Sequence, residues 1–181
     1  MFANHVDTAV LQTHVNWQQY ASEGLGADFL SLADVEVLQY YEGNDDEAVA
    51  ELMATEAATS PTSGPAFARV LLKSLSKITD GSVLRFTLTR IEHILAFREH
   101  KQAQSFAAMF ASDAQVFAEG TAALLRVLEG SAGTSSDGAE SAFIMKKAAM
   151  VLAHLLTALY DSKAGVEGGG YAIAVRDQVG C

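Results

Sequence analysis

The chain has 181 residues, half of them hydrophobic, so it can bury a substantial core and is not a disordered acidic tail. Twelve Lys and Arg against 22 Asp and Glu leave a formal net charge of -10, which repels nucleic-acid phosphates and anionic headgroups and favours basic or mixed-charge protein partners. The single cysteine, Cys181, is the last residue, which excludes an intrachain disulfide and a cysteine-rich metal site and suits a reducing compartment such as the cytosol.

The stretch Met1 to Leu11 contains His5 and Asp7 and lacks the basic segment and apolar run of a secretory signal. The first helix signal is Ser31-Leu32-Ala33-Asp34, a capping box followed by Val35, Leu38 and Tyr41 at helical spacing. Asn44-Asp45-Asp46-Glu47 starts the next helix, which uses Val49, Leu52 and Met53 and stops before Thr59. Both prolines, Pro61 and Pro65, fall in the polar segment Thr59 to Pro65. That segment is the expected boundary between an amino-terminal helical region, residues 1–60, and a region of helical repeats, residues 61–165.

Beyond it, Phe67, Leu71, Leu75 and Ile78 share one helical face, and Leu84, Leu88, Ile91 and Leu95 share another. Asp80-Gly81-Ser82 separates them with a turn and an N-cap, so the two form an antiparallel hairpin. Ala103 to Ala111 presents Phe106, Met109 and Phe110, and Ser112-Asp113 caps a helix bearing Phe117, Leu124, Leu125 and Leu128. A flexible Gly-Ser loop is expected at 130–138. The last helix starts near Ala139 and carries Ile144, Ala148, Val151, Leu155 and Leu159 in one stripe, widened by Leu152 and Leu156. Its apolar stretch Ala148 to Tyr160 falls well short of the roughly 20 residues that span a bilayer. Spacings of roughly 37 and 36 residues, from Ala66 to Ala103 and on to Ala139, lie near the lower edge for helix-pair solenoids. The reading is an all-α fold of HEAT or armadillo type, followed by a divergent, disordered tail over 166–181.

Chemistry is sparse. Asp45, Asp46 and Glu47 lack the alternating ligands of an EF-hand loop and read as an acidic first turn. The five histidines, His5, His14, His93, His100 and His154, show no metal-ligand spacing, and His154 alone interrupts an apolar helix, on its polar edge or as a buried pH-sensitive group. Gly168-Gly169-Gly170 lacks the Lys-Ser or Lys-Thr of a phosphate loop, no GxSxG elbow occurs, and Cys181 has no base to activate it. No catalytic residue, cofactor or metal ligand is therefore expected, nor nucleic-acid binding or membrane insertion. Lys73, Lys77, Arg85 and Arg90 lie around the first hairpin, as a local basic surface for an acidic partner or as a solvated polar face.

One segment is distinctive. His14-Val15-Asn16-Trp17-Gln18-Gln19-Tyr20 resembles the amino-terminal Val-Asn-Trp-Gln-x-Tyr motif of the regulatory H subunit of vacuolar-type proton ATPases, most specifically at Asn16, Trp17 and Tyr20. The resemblance continues in order through Leu38 to Glu42, Leu52 to Glu56 with Thr55 and Glu56, the two helices after Pro65, His100-Lys101-Gln102, the Phe106 to Phe110 patch and the helix Ala148 to Leu159. It covers roughly residues 12 to 165. It implies a non-catalytic scaffold on the cytosolic face of vacuolar or endosomal membranes, bound through the pump's peripheral-stalk and catalytic-sector subunits and helping to regulate ATP hydrolysis. Trp17 and Tyr20 then either face a partner or anchor the amino-terminal helix. Family members are more than twice as long and end in a separate domain that bridges to the membrane sector, so a shortened product with an exposed stripe on its last helix is expected. The alternative is a general HEAT or armadillo adaptor unrelated to the pump.

Overall fold

The structure is a computed structural model that describes residues 5–22, 30–57, 59–96, 100–130 and 138–164, with the side chains of 5, 22, 100–104 and 158–164 outside that description. All regular structure among them is helical: α1 (His5–Leu11), α2 (Gln19–Ser22), α3 (Leu32–Tyr41), α4 (Asp46–Thr55), α5 (Gly64–Lys77), α6 (Gly81–Leu95), α7 (His100–Phe110), α8 (Ala114–Leu128) and α9 (Gly138–Ala164). The expected disordered tail at 166–181, with its triple glycine and Cys181, lies outside the described residues, as does 131–137 of the expected loop.

Capping sets most of the boundaries. Ser31 Oγ accepts from the Asp34 amide while Asp34 accepts from the Ser31 amide, the reciprocal pair that starts α3. Asp45, Asp80 and Asp113 cap α4, α6 and α8 through their carboxylates. Pro65 sits in the first turn of α5, where its missing N–H leaves no bond unmade. Gly130 closes α8 at φ 73, the left-handed conformation that glycine adopts without steric cost.

One contiguous core runs from Val10 to Leu155. Helices α5 and α6, joined by three residues, form an antiparallel hairpin, and its eight predicted core residues from Phe67 to Leu95 are all buried. The most extensive packing joins α6 to α9 and α5 to α8, and α8 also packs on α9. The hairpin α5–α6 is therefore stacked on the pair α8–α9 like on like, while the shorter α7 packs against α5, α6 and α9. Helices α3 and α4 cover α5, and α1 lies on α6. Tyr41 stacks on Phe67 at 3.9 Å between ring centroids and donates its hydroxyl to the Thr62 carbonyl at 2.9 Å, fixing the turn that holds both prolines to the core.

Two details of the predicted faces change. Leu125 is exposed, and the buried face of α8 is Gly120, Ala123, Leu124 and Val127 instead. Gly120 is what permits this rotation, because a Cβ there would meet Leu72 Cδ2 at 2.9 Å. The exposed stripe expected on the last helix does not form: Ile144, Ala148, Val151 and Leu155 of α9 are buried because α9 packs back on α6, α7 and α8 and needs no following helix, while Leu156 is exposed and the side chain of Leu159 lies outside the described residues.

Candidate functional site

The feature that apolar patterning does not explain is a group of buried charges where α1, α4, α6 and α9 meet. Lys147 lies on the apolar stripe of α9, between Ile144 and Val151, and is only 4% exposed. Its ammonium donates to Asp7 Oδ2 of α1 at 2.7 Å and to Glu92 Oε2 of α6 at 2.8 Å. One residue along α6, His93 has its two ring nitrogens against further carboxylate oxygens. Nδ1 is 2.6 Å from Asp46 Oδ2, and Nε2 is 3.4 Å from Asp7 Oδ2 and 3.7 Å from Glu92 Oε2. Arg90, 3% exposed, donates to Asp46 Oδ1 at 3.0 Å and to the Asn44 carbonyl at 3.2 Å.

Three carboxylates thus face two permanent cations and one histidine, so the cluster is neutral only when His93 is protonated. The electrostatics agree. Hydrogen bonding to Asp46 is the largest influence on His93 and, with the charges of Asp46 and Glu92, outweighs burial and raises its pKa above the ordinary histidine value. Burial pushes the carboxyls of Asp7 and Asp46 up, but the bonds to Lys147 and His93 prevail for Asp7, and those to His93 with the Arg90 charge prevail for Asp46, so both end below the usual range. Asp7, Glu92 and His93 bring ligand atoms within 4.8 Å of one another, yet Lys147 contacts both carboxylates and supplies the positive charge they require.

Sequence reasoning missed Asp7, Glu92 and Lys147, and gave Asp46 a helix-end role alone. Asp45 performs the capping, whereas Asp46 spans to α6. Of the two alternatives for the basic residues of the hairpin, a local basic surface does not form, and a solvated polar face does not describe Arg90. Arg90 is buried, Lys73 is bonded to Asp34, and Arg85 lies 3.7 Å from Glu140 with its guanidinium over the Phe143 ring. An open groove of ≈ 420 Å³ beside Pro61 and Pro65 is lined by Asp34, Glu36, Arg69 and Asp113, but its Asp34 is already held by Lys73 and Ser31.

The motif residues divide between two places. Asn16 is exposed, Trp17 is 2% exposed and meets Phe86 of α6 edge-on at 5.8 Å, and Tyr20 is half-buried, its phenol pKa raised by burial. A tight turn, with the Trp17 amide on the Val15 carbonyl at 2.9 Å, points the indole inward. Thr55 and Glu56 lie at the end of α4. Thr55 is exposed and donates to the Glu51 carbonyl, and Glu56 accepts the Tyr40 hydroxyl at 2.7 Å. His154 is partly exposed on α9, away from the charge cluster's bonds. No helix among the described residues is long and apolar enough to cross a membrane. Compared with protein families, curated proteins and solved structures, the chain finds no match in any of the three.

Proposed function

We propose that this chain is a non-catalytic regulatory scaffold of a vacuolar-type proton ATPase, working on the cytosolic side as the amino-terminal part of the pump's regulatory H subunit. It binds the peripheral stalk and the catalytic sector and helps to regulate ATP hydrolysis coupled to proton transport. The observation that carries the reading is the motif Val15-Asn16-Trp17-Gln18-Gln19-Tyr20, in which Trp17 is locked under Phe86 while Asn16 stays outside. A buried aromatic anchor presenting an adjacent polar side chain is a rigid recognition element, made without catalytic groups.

Two further features support it. The stacking of α5 on α8 and of α6 on α9 fits an armadillo-type array whose units are α4–α5–α6 and α7–α8–α9. The repeat is then three helices, with α5 and α8 starting at residues 64 and 114, and the spacing near 36 residues related helices that are not equivalent. Charge also fits a protein partner. No Lys or Arg precedes Arg69, and Glu36, Asp45, Glu47 and Glu51 are exposed on α3 and α4, so the surface that meets this end is basic.

The test is titration calorimetry of the folded chain against purified peripheral-stalk heterodimer and catalytic sector, with ATPase assay of the mixture. Binding that weakens with salt and with Asn16→Ala, together with a change in ATP hydrolysis, is expected. A folded chain that binds neither would leave the general helical-repeat adaptor as the reading.

A further inference from the structure

The imidazole of His93 faces carboxylate oxygens at both nitrogens, and the two carboxylates come from different elements, Asp46 on α4 and Asp7 on α1. An imidazole donates at both nitrogens only as the cation, and the neutral ring turns a lone pair toward one carboxylate. We propose that His93 is a proton-operated clamp that ties α1 and α4 to α6 in its doubly protonated form and loosens α1 when it loses one proton. The inference stands on the charge cluster and does not depend on the pump reading.

Geometry decides which bond is lost. The contact to Asp46 is short and is backed by Arg90 on the same carboxylate, so the Nδ1 proton stays. The Nε2 proton faces Asp7 at 3.4 Å and leaves first. The bare Nε2 then confronts Asp7 Oδ2 and Glu92 Oε2, and Lys147 remains as the one cation on those two carboxylates. The groups facing His93 are thus Asp7 from α1, Asp46 from α4, Glu92 and Arg90 from α6 and Lys147 from α9, among the described residues. Repulsion falls on α1, a helix of seven residues that offers the core only Val10 among its fully buried apolar side chains. So short a helix, with so little of it buried, has little packing to resist.

The sign follows from the raised pKa of His93. The clamp is complete below the free histidine value and is lost as pH rises through the folded value. Its release uncovers the part of α6 under α1, so acidification closes the surface and alkalinisation opens it.

The experiment is an NMR titration of the His93 ring in the full chain, with amide exchange of α1 followed from about pH 5.5 to 8.5 and corrected for intrinsic rate. His93 is expected to titrate above its ordinary value, with α1 protection falling by up to about tenfold per pH unit through that transition while α5 and α6 stay protected. In His93→Gln the pH dependence of α1 should vanish. A His93 that titrates at or below the free value, α1 protection flat across the range in the native chain, or an unchanged dependence in His93→Gln would each overturn the clamp. The first two measurements use the native protein, so the outcome does not rest on the variant folding.

Discussion

Replacing Lys147 with methionine keeps most of the side-chain volume on α9 and removes the charge between Asp7 and Glu92. The loss can be bounded in two ways. Breaking a buried ion pair by removing one partner costs about 3–5 kcal/mol, because an uncompensated charge stays behind. The folded chain can avoid two facing bare carboxylates by protonating one of them. Starting from the ordinary aspartate value of 3.8, doing so at pH 7 costs about 4 kcal/mol, at roughly 1.36 kcal/mol per pH unit. The two bounds agree, and the second adds a pH signature. Protonation becomes cheaper as pH falls, so the deficit of Lys147→Met should shrink by about 1.4 kcal/mol per unit toward about pH 4.5. Urea denaturation of both proteins at several pH values reads this directly. Adding Glu92→Gln to the variant should restore more than half of the deficit, since Asp7 then keeps His93 as its counter-charge. A loss below about 1 kcal/mol at pH 7, the range of an exposed salt bridge, would refute the reasoning. So would a deficit that does not change with pH.

The remaining predictions concern packing and caps. Trp17→Ala should cost about 3–5 kcal/mol in denaturant unfolding, since the indole is almost fully buried against Phe86; a loss below about 1 kcal/mol would return Trp17 to a surface role. Gly64→Ala should destabilise more than Gly120→Ala in the same assay, because its Cβ would stand 2.5 Å from the Met53 backbone carbonyl oxygen, whereas at Gly120 it meets a leucine side chain. Gly81→Ala, which faces only the flexible Glu140 carboxylate at 3.1 Å, should be close to neutral. For Asp34, burial raises the carboxyl but Lys73 and Ser31 hold it below its ordinary value, so its contribution is present above the free carboxyl value and is lost as pH falls through the folded one. Asp34→Ala should therefore weaken the chain at pH 7 and make its stability less sensitive to acid, as thermal melts between about pH 3 and 7 would register.

How much of this was legible differs between the fold and its phase. Helical period and cap residues are local properties, and they place α3 through α9 with cores that are buried where the period puts them, from Val35 in α3 to Leu155 in α9. The pairing of helices is not local. Helix starts near Ala66, Ala103 and Ala139 repeat at an even interval, yet α5 packs most on α8 and α6 on α9, which sets the pairing three helices apart. Nothing in a single amphipathic stripe names its partner, and the short α7 looks in sequence like any other member. The exposure of Leu125 has the same origin, since the face of α8 turned inward is chosen by Gly120 seating on Leu72 and not by the count of leucines.

The charge cluster was hidden by separation, with its members at positions 7, 46, 90, 92, 93 and 147, but two signals were present. Lys147 occupies a core position of α9, three residues after Ile144 and one before Ala148, where a lysine can lie only if an opposite charge waits opposite it. Arg90, Glu92 and His93 likewise interrupt α6 between Leu88, Ile91 and Leu95, so ionisable groups crowd around the most buried part of that helix. Reading each as a polar edge treats α6 as a two-faced helix. From Phe86 to Leu95 it is covered on several sides, by α1, α4, α5, α7 and α9, and a stretch with so little solvent face must pair its charges within the core. The rule that follows is physical: in a helix whose apolar positions leave no polar sector, a charged residue predicts a partner from another element. Here Lys147 of α9 and Arg90 of α6 hold Asp7 and Asp46, and the same two carboxylates bring α1 and α4 onto His93.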